Sequence, residues 1–468
     1  MISNFFTQKL NDLSLYFLPT IVLSLGGFVF IPFLWNKLGA DNFGIIVILE
    51  ILTIFLPGLF TLCLDQYMMR FYYEWDDIEK KKNLGSVWIV LLFSTILQFI
   101  FFSTILQFTF FSELFFPKIS IDLIQLVLVY ILLFSINSFP LSLIRILNIP
   151  KLYALYKISN FLIYICSVIF FVFVKNFDLK GYYFGLIFSQ IIMLLFSISF
   201  MKNKSIFSFK ISDLKKYFRY SLPLIPAGML NNSFSIIERF VLQANFSLNI
   251  VGFYAFASKF AEILNQVFAV LKLSYGPELY KVIAAKNQVA FKRFNNNVYF
   301  YLGILFLTGL GIIIFANEFL ILMNVADYKE ILIIIPWLVI NSLLYSINIF
   351  IGPGIIVTKK TELKLLIDFI LVILFSSLVF YLINISSIID LIFIRGGVLF
   401  VGLILYYFIT KFLIKWKINL LYILINFCFL FLILIYANSN FIIDCLVASV
   451  FIIYNFFTIK SFINYETN

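Results

Sequence analysis

Several features are absent or scarce in this sequence, and each absence excludes a class of function. The 468 residues include no histidine, which excludes a histidine proton relay, a histidine metal site and a Ser/His or Cys/His nucleophile. Only 12% of the residues are charged and 63% are hydrophobic, so the composition excludes an ordinary soluble protein. No GxxxxGK[ST] phosphate-binding loop occurs, so the sequence gives no sign that ATP drives the protein directly.

Cysteines are few and dispersed. The four of them, Cys63, Cys166, Cys428 and Cys445, lie in apolar segments and have no metal-binding spacing. We interpret them as small core residues, and the sequence predicts no metal site and no cofactor.

Long apolar segments recur from one end of the chain to the other. A hydrocarbon core about 30 Å thick requires roughly 20 apolar residues per helix, and these segments have that length. Long runs, rather than short alternating strands, favour helices over a membrane β-barrel. The sequence predicts an all-α membrane protein with about 14 spans: 13–34, 43–64, 86–111, 121–144, 158–174, 182–201, 221–245, 250–275, 298–315, 331–357, 365–384, 391–410, 420–437 and 442–459.

The distribution of basic residues predicts the orientation. With the N-terminus inside, about 25 of the 34 Lys and Arg residues fall in inside segments and about 5 in outside segments. We therefore expect a multi-pass protein with both termini cytoplasmic. The longest inside connections, residues 65–85, 202–220 and 276–297, mix charges with aromatics and are predicted to be partly helical at the membrane surface.

The stretch from Phe218 to Tyr275 carries polar groups inside two predicted spans. A charge at the bilayer centre costs at least about 2.5 kcal/mol, so such residues usually face a protein interior or a water-filled cavity. Lys259, Glu262 and Gln266 share one helical face. They form either an internal Lys–Glu pair that fixes packing or a polar stripe along a cavity, and the two interpretations are compatible.

Other intramembrane charges are predicted to find partners on other helices. Glu50 is alone in the second span and is either an ion site or the partner of a basic residue elsewhere. Glu238 and Arg239 are adjacent and therefore about 100° apart on a helix, so we expect each to pair with another helix rather than with its neighbour.

The sequence contains an approximate internal repeat. LYFLPTIVL leads to NKLGADNFGIIVILEIL near the start, and RYSLPLIPA leads to SLNIVGFYAFASKFAEIL near the middle. Both copies have a Leu-Pro pair (Pro19, Pro223) and then an apolar residue followed by glycine (Gly44, Gly252). Six spans separate the copies, which predicts parallel halves related by an axis along the membrane normal, a common transporter plan.

These two stretches resemble the Wzx-type oligosaccharide flippases of the polysaccharide transporter family, in the superfamily of MATE and MurJ transporters. The resemblance implies a V-shaped pair of six-helix bundles, residues 1–201 and 202–410, followed by two additional transmembrane helices in 411–468. It also implies transport of undecaprenyl-pyrophosphate-linked oligosaccharide repeat units to the outer leaflet of the bacterial inner membrane. That transport would serve O-antigen or capsule synthesis by alternating access, without covalent chemistry, beside other membrane proteins of polysaccharide assembly.

The cargo that the resemblance implies needs cations for its diphosphate and polar surface for its sugars. The candidate cargo-binding residues are Arg239, Lys259, Arg395, Gln266 and Asn232. Glu50, Glu262 and Glu238 are candidates for coupling to H⁺ or Na⁺. Helix breaks mark the hinge candidates, which are Pro223, Pro226, Gly352, Pro353 and Gly354.

Three other functions remain open. A cation-coupled drug exporter on the same fold predicts an acid-rich cavity in the first half, where only Glu50 lies well inside a span. A lipid II flippase on this fold predicts a more basic cavity in the first half. A membrane-embedded polysaccharide polymerase or glycosyltransferase usually requires a sizeable outer loop or a clear carboxylate motif, and the sequence has neither.

Overall fold

A chain that crosses hydrocarbon must satisfy its backbone hydrogen bonds within each segment, and this protein does so with helices. The computed structural model describes residues 2–117, 119–147, 149–206, 211–222, 224–285, 288–325, 328–352, 355, 361–381, 387–414, 420–436, 449, 451 and 453–455. Within these residues every regular element is helical, which confirms the predicted all-α fold.

Fifteen α-helices follow one another along these residues. They are α1 Ile2–Phe60, α2 Leu64–Phe71, α3 Asp77–Gln107, α4 Thr109–Phe115, α5 Ile121–Ile146, α6 Pro150–Val168, α7 Asp178–Lys204, α8 Ile211–Ser221, α9 Leu224–Asn245, α10 Leu248–Ala285, α11 Gln288–Leu322, α12 Tyr328–Ile351, α13 Thr361–Tyr381, α14 Ile388–Ile414 and α15 Leu420–Tyr436. A π-helical turn, Ile169–Val174, extends α6.

Helix α1 contains two spans joined at Gly39. Its apolar part, Val22–Phe60, has 39 residues, about 58 Å at 1.5 Å per residue, or roughly twice the hydrocarbon thickness. Gly39 interrupts it with φ 78° and ψ 168°, a conformation that glycine adopts without steric cost. The break lies between the first two predicted spans, as the connection proposed there requires.

Nine segments in the described part of the chain are long and apolar enough to cross a membrane. Helices α9 and α10, which carry the polar groups of the stretch from Phe218 to Tyr275, are not among these segments. Several helices extend beyond the predicted spans: α3 begins at Asp77 rather than residue 86, and α6 begins at Pro150 rather than residue 158. Most of the last predicted span, 442–459, lies outside the described residues.

Two short helices, α2 and α8, lie in the long connections predicted to be partly helical. Their aromatic side chains pack together: the Tyr67 ring lies 4.7 Å from Phe71 and 4.9 Å from Tyr217, centroid to centroid. Tyr67 and Tyr217 are both buried, and Trp88 of α3 belongs to the same cluster. Helices with one aromatic face and one charged face suit the boundary between lipid and water.

The chain divides into two compact units, Met1–Gly252 and Phe253–Asn468. We call them unit 1 and unit 2. Unit 1 holds α1 to α9 and the first residues of α10, and unit 2 holds the rest. The bundle boundaries predicted from the span count, after residues 201 and 410, remain a prediction.

In each unit, a buried asparagine side chain donates a hydrogen bond to a backbone oxygen of another helix, and this similarity supports the internal repeat. In unit 1, Asn137 Nδ2 of α5 donates to the Gln190 backbone oxygen of α7 at 2.9 Å. In unit 2, Asn341 Nδ2 of α12 donates to the Ile392 backbone oxygen of α14 at 2.9 Å. Asn341 follows Asn137 by 204 residues, the separation of Pro19 and Pro223. A buried amide is costly without such a partner, so the bond ties equivalent helices together in both units.

Candidate functional site

An ion pair lies inside the predicted membrane region of unit 1. Arg239 Nη2 of α9 lies 2.7 Å from Glu50 Oε2 of α1, and Arg239 Nη1 also donates to the Ser235 backbone oxygen at 3.2 Å. The side chains are 18% and 28% exposed, so protein encloses most of both charged groups. The pair agrees with the expectation that Glu50 and Arg239 each bind a partner on another helix.

Close backbone contact at two glycines joins α1 to the first residues of α10. A Cβ atom on Gly44 would lie 2.1 Å from the Leu248 backbone oxygen, and one on Gly252 would lie 2.0 Å from the Ala40 backbone oxygen. Each glycine therefore contacts the residue four positions before the other. Gly44 and Gly252 are also the equivalent glycines of the two repeat copies. Only a residue without a side chain allows the two helix backbones to come this close.

Four tyrosines on α5, α6 and α7 lie near the ion pair, and we call them the tyrosine cluster: Tyr130, Tyr164, Tyr182 and Tyr183. The Tyr164 and Tyr182 rings meet edge to face at 6.4 Å, and Tyr182 and Tyr183 at 5.3 Å. Tyr130, Tyr182 and Tyr183 lie within electrostatic range of the Glu50 carboxylate. Tyr130 and Tyr182 keep part of their surface accessible, whereas Tyr183 is buried.

The sequence interpretation assigned no tyrosine to this site. For Tyr130 a usable signal was its depth, because membrane tyrosines usually lie at the interfaces. Tyr130 is nine residues from the start of α5, or about 14 Å along the helix. An interfacial tyrosine would not be placed so deep.

The second predicted pair, on α10, also forms. Lys259 Nζ lies 2.7 Å from Glu262 Oε1, with the side chains 23% and 52% exposed. Gln266 is partly buried one turn further on. The internal Lys–Glu pair is therefore present. Cargo binding by Lys259 and Gln266 remains a proposal, and so does ion coupling at Glu262.

The remaining candidates are dispersed. Glu238 is 2% exposed on α9, and Asn232 is exposed on the same helix. Arg395 is partly buried on α14, beside Gly396, whose Cβ position lies 2.7 Å from Asn341 Oδ1. In the described part of the chain no group of three or more His, Cys, Asp or Glu side chains could hold a metal ion.

The hinge candidates fall at helix ends. Helix α8 ends at Ser221 and α9 begins at Leu224, so Pro226 occupies the first turn of α9, where proline is tolerated. Gly352 follows the last residue of α12 and is buried against the Tyr406 ring, 2.9 Å from its Cβ position. Pro223, Pro353 and Gly354 lie outside the described residues. Hinge motion at these positions remains a proposal.

The sequence interpretation also missed a carboxylate in a predicted span of unit 2. Asp368 of α13 accepts a hydrogen bond from Tyr406 Oη at 2.7 Å and lies 2.5 Å from Lys364 Nζ. Its two partners satisfy both carboxylate oxygens, which is how an acid is usually retained in a membrane helix.

The Asp65 carboxyl, in the first turn of α2, gives a pH-dependent prediction. Burial raises its pKa above the usual 3.8, against the opposing effects of the Gln66 backbone amide and the Arg145 charge. Because the folded state then binds the proton more tightly than the unfolded chain, stability increases as the pH falls through the interval between the two pKa values. Above that interval the buried charge is destabilising.

We therefore expect Asp65→Asn to raise the melting temperature in detergent at pH 7 by roughly 1–3 °C. It should also flatten the pH dependence of melting at acidic pH. Asp77→Asn is the matched control, because the Asp77 side chain is 95% exposed. Equal melting curves for Asp65→Asn and the natural protein at every pH would contradict the prediction.

Comparison with known proteins identifies the fold and the family. The solved lipid II flippase MurJ, in an inward closed conformation, matches with a TM-score of 0.72 at 17% identity, covering 94% of this chain and 97% of that one. A multidrug resistance MATE family transporter of the MOP superfamily, inward-facing, matches with a TM-score of 0.66 at 12% identity, covering 85% and 96%. The MATE multidrug transporter DinF-BH matches with a TM-score of 0.59 at 16% identity, covering 87% and 97%.

These identities are low, so the solved structures establish the fold, which is that of membrane transporters and flippases. A comparison with curated protein sequences finds no match. The family comparison is decisive, because residues 10–274, more than half of the chain, match the polysaccharide biosynthesis proteins. The chain is a multi-pass membrane protein that belongs to the polysaccharide biosynthesis protein family.

Proposed function

We propose that this protein is a flippase for undecaprenyl-pyrophosphate-linked oligosaccharide repeat units. It would move them from the cytoplasmic to the outer leaflet of the bacterial inner membrane for O-antigen or capsule synthesis. The observation that carries the proposal is the Glu50–Arg239 pair beside the tyrosine cluster, in a chain with a transporter fold. An ionisable side chain inside a membrane segment is costly, and it usually faces a protein interior or cavity and marks a substrate or ion pathway.

The chemistry of the site suits a diphosphate attached to sugars. A guanidinium binds phosphate oxygens through two parallel N–H groups, and the bond is stronger where water is partly excluded. Glu50 holds Arg239 in place and balances its charge until a diphosphate competes for the same N–H groups. Tyrosine rings offer apolar faces and hydroxyl groups, which together match the two sides of a sugar ring.

The energy source in this proposal is an ion gradient or the membrane potential. The Glu50 carboxylate can exchange its bond to Arg239 for a proton or Na⁺ when the diphosphate occupies the guanidinium. Binding of cargo and binding of the ion would then favour each other. Lys259, Arg395, Gln266 and Asn232 remain proposed cargo contacts, and Glu262 and Glu238 remain proposed ion sites.

The test is transport by the purified protein in proteoliposomes. One arm measures transbilayer movement of undecaprenyl-pyrophosphate-linked oligosaccharide, and the other measures uptake of a cationic dye under H⁺ and Na⁺ gradients. We expect movement of the lipid-linked sugar above protein-free vesicles and no gradient-driven dye uptake. Dye transport without lipid movement would replace the proposal with a drug exporter on the same fold.

A further inference from the structure

Four polar side chains form a chain of hydrogen bonds across α5, α6 and α7, and we call it the amide chain: Ser197, Asn137, Gln190 and Asn160. Ser197 Oγ donates to Asn137 Oδ1 at 2.8 Å. Asn137 Nδ2 donates to the backbone oxygen of Gln190 at 2.9 Å and to its Oε1 atom at 3.0 Å. Gln190 Nε2 in turn donates to Asn160 Oδ1 at 3.4 Å. The first three residues are buried and Asn160 is partly exposed, so the chain runs from the core of unit 1 to accessible surface.

The amide chain determines which atom Asn160 presents at that surface. A backbone oxygen can only accept, so the nitrogen of the Asn137 carboxamide must point at Gln190. The Gln190 side-chain oxygen accepts from Asn137, and its nitrogen therefore points at Asn160, where only an oxygen can accept from it. Asn160 Nδ2 is left on the other side of its carboxamide, and in the described part of the chain no protein oxygen accepts from it. The end of the chain is an available N–H donor.

Asn160 lies on the side of α6 that faces other helices of unit 1. Leu162, two residues further on and therefore about 160° away around the helix, is 55% exposed. Tyr164, one turn after Asn160 on the same face, meets Phe30 of α1 at 6.5 Å and Tyr182 of α7 at 6.4 Å, both edge to face. The accessible surface of Asn160 is therefore directed toward an opening between helices rather than toward lipid.

The equivalent helices of unit 2 show that packing does not require the whole amide chain. There Asn341 Nδ2 donates to the backbone oxygen of Ile392, and because the Ile392 side chain is apolar, no amide continues from it. The bond to a backbone oxygen is therefore enough to join these helices. Unit 1 adds two amides, and Asn160 lies ten residues after Pro150, or about 15 Å along α6. Polar side chains at such depth are costly and usually have a function.

We propose that Asn160 binds a sugar of the lipid-linked oligosaccharide and that Gln190 is a positioning residue that orients the Asn160 amide. The proposal rests on the proposed function, because the sugar belongs to the same cargo. The Asn160 Nδ2 donor selects an oxygen acceptor, either a sugar hydroxyl or an acetamido carbonyl. A neutral amide suits these uncharged oxygens, whereas the diphosphate needs a cation. The Tyr164 ring, on the same face of α6, offers apolar surface to the carbon side of a sugar ring.

The test measures the sugar advantage, which we define as the Kd for undecaprenyl pyrophosphate divided by the Kd for the same lipid bearing one sugar. The sugars are N-acetylglucosamine, N-acetylgalactosamine, glucose and galactose, and the lipids bind to the full chain in nanodiscs. We expect the natural protein to show an advantage of about tenfold or more for at least one sugar. Because the sugar-free lipid is the reference, effects on binding of the diphosphate or the tail cancel.

Three substitutions test the donor and its orientation. Asn160→Ala removes the donor, and Asn160→Asp keeps an oxygen for Gln190 Nε2 but replaces the donor with an acceptor. Gln190→Glu leaves Asn160 in place but removes the N–H group that faces it, so Asn160 must turn its nitrogen toward the new carboxylate and its oxygen outward. Each is expected to lower the sugar advantage about three- to tenfold, the loss of one neutral hydrogen bond.

Asn245→Ala and Ser189→Ala are the matched controls. Asn245 Nδ2 donates to the Val241 backbone oxygen within α9, and Ser189 Oγ donates to the Leu186 backbone oxygen within α7. Both variants lose a polar side chain outside the amide chain and should keep the sugar advantage within about twofold of the natural value. Melting temperatures of all variants separate lost binding from lost folding.

The possible outcomes separate this inference from the proposed function. An unchanged sugar advantage in Asn160→Ala would overturn the sugar site, and so would an equal loss in the two control variants. A loss in Asn160→Ala but not in Gln190→Glu would overturn the positioning role of Gln190. If the natural protein flips lipid-linked oligosaccharide but shows no sugar advantage, the sugar site is overturned and the flippase proposal stands. Absence of both binding and flipping would overturn both proposals.

Discussion

Arg239→Gln is expected to reduce flipping of lipid-linked oligosaccharide by about 10- to 100-fold. The substitution removes the guanidinium that lies 2.7 Å from Glu50 and that we propose binds the diphosphate. Hydrogen bonds to a charged group contribute about 1.5–3 kcal/mol each, and each 1.4 kcal/mol corresponds to a factor of ten. The measurement is the initial rate of flipping in proteoliposomes at equal amounts of reconstituted protein.

Stability must be separated from transport, because the same substitution breaks an ion pair. Removing one partner of a fully buried pair costs about 3–5 kcal/mol, and a smaller cost of about 1–3 kcal/mol is expected here since both side chains are partly exposed. Glu50→Gln should destabilise similarly. Arg219→Gln is the matched control, because Arg219 is exposed on α8.

The charge swap Glu50→Arg with Arg239→Glu distinguishes a role of the ion pair in stability from a role of Arg239 in transport. It keeps an ion pair between the same helices and should restore most of the melting temperature, but it moves the cation to the other helix. We expect flipping to stay at least about tenfold below that of the natural protein. Full recovery of transport by the swap would mean that the pair acts only in folding. Normal flipping by Arg239→Gln would remove Arg239 from the cargo site.

Much of the fold was predictable from local composition. Spans of about 20 apolar residues follow from the thickness of the bilayer, and no tertiary information is needed to find them. The same energetics left Glu50 as either an ion site or the partner of a basic residue, and the structure places Arg239 beside it. The repeat identified Gly44 and Gly252 as equivalent positions but did not predict that they meet, and the structure shows each glycine against the other's helix.

The sequence interpretation failed for residues whose role depends on which helices lie close together or on where a helix begins. Tyr130, Tyr164 and Tyr182 come from three helices, and nothing in their spacing shows that they meet. Lys157 was assigned to a loop because apolarity begins after it, although Pro150 is a usual first residue of a helix. Asp368 lies among apolar neighbours, and the bonds from Tyr406 and Lys364 that retain it become visible only in the folded unit.

Gly44→Ala and Gly252→Ala are each expected to destabilise the protein by about 1–3 kcal/mol, although alanine is the better helix former. The added methyl carbon would lie 2.1 Å from the Leu248 oxygen in the first variant and 2.0 Å from the Ala40 oxygen in the second. Both obstacles are backbone atoms, so relief requires the helices to separate. The measurement is thermal unfolding in detergent, with a fall in melting temperature of roughly 2–10 °C.

The contact is reciprocal, so the two substitutions should not be additive. Once one alanine has separated the helices, the second meets less resistance, and the double variant should cost clearly less than the sum of the single variants. Gly27→Ala and Gly58→Ala are the matched controls, because no heavy atom lies within 4 Å of either Cβ position. They should leave stability unchanged or increase it by up to about 1 kcal/mol. Equal melting of Gly44→Ala and Gly58→Ala would show that the helices do not meet at these glycines, and strict additivity would show that the two contacts are independent.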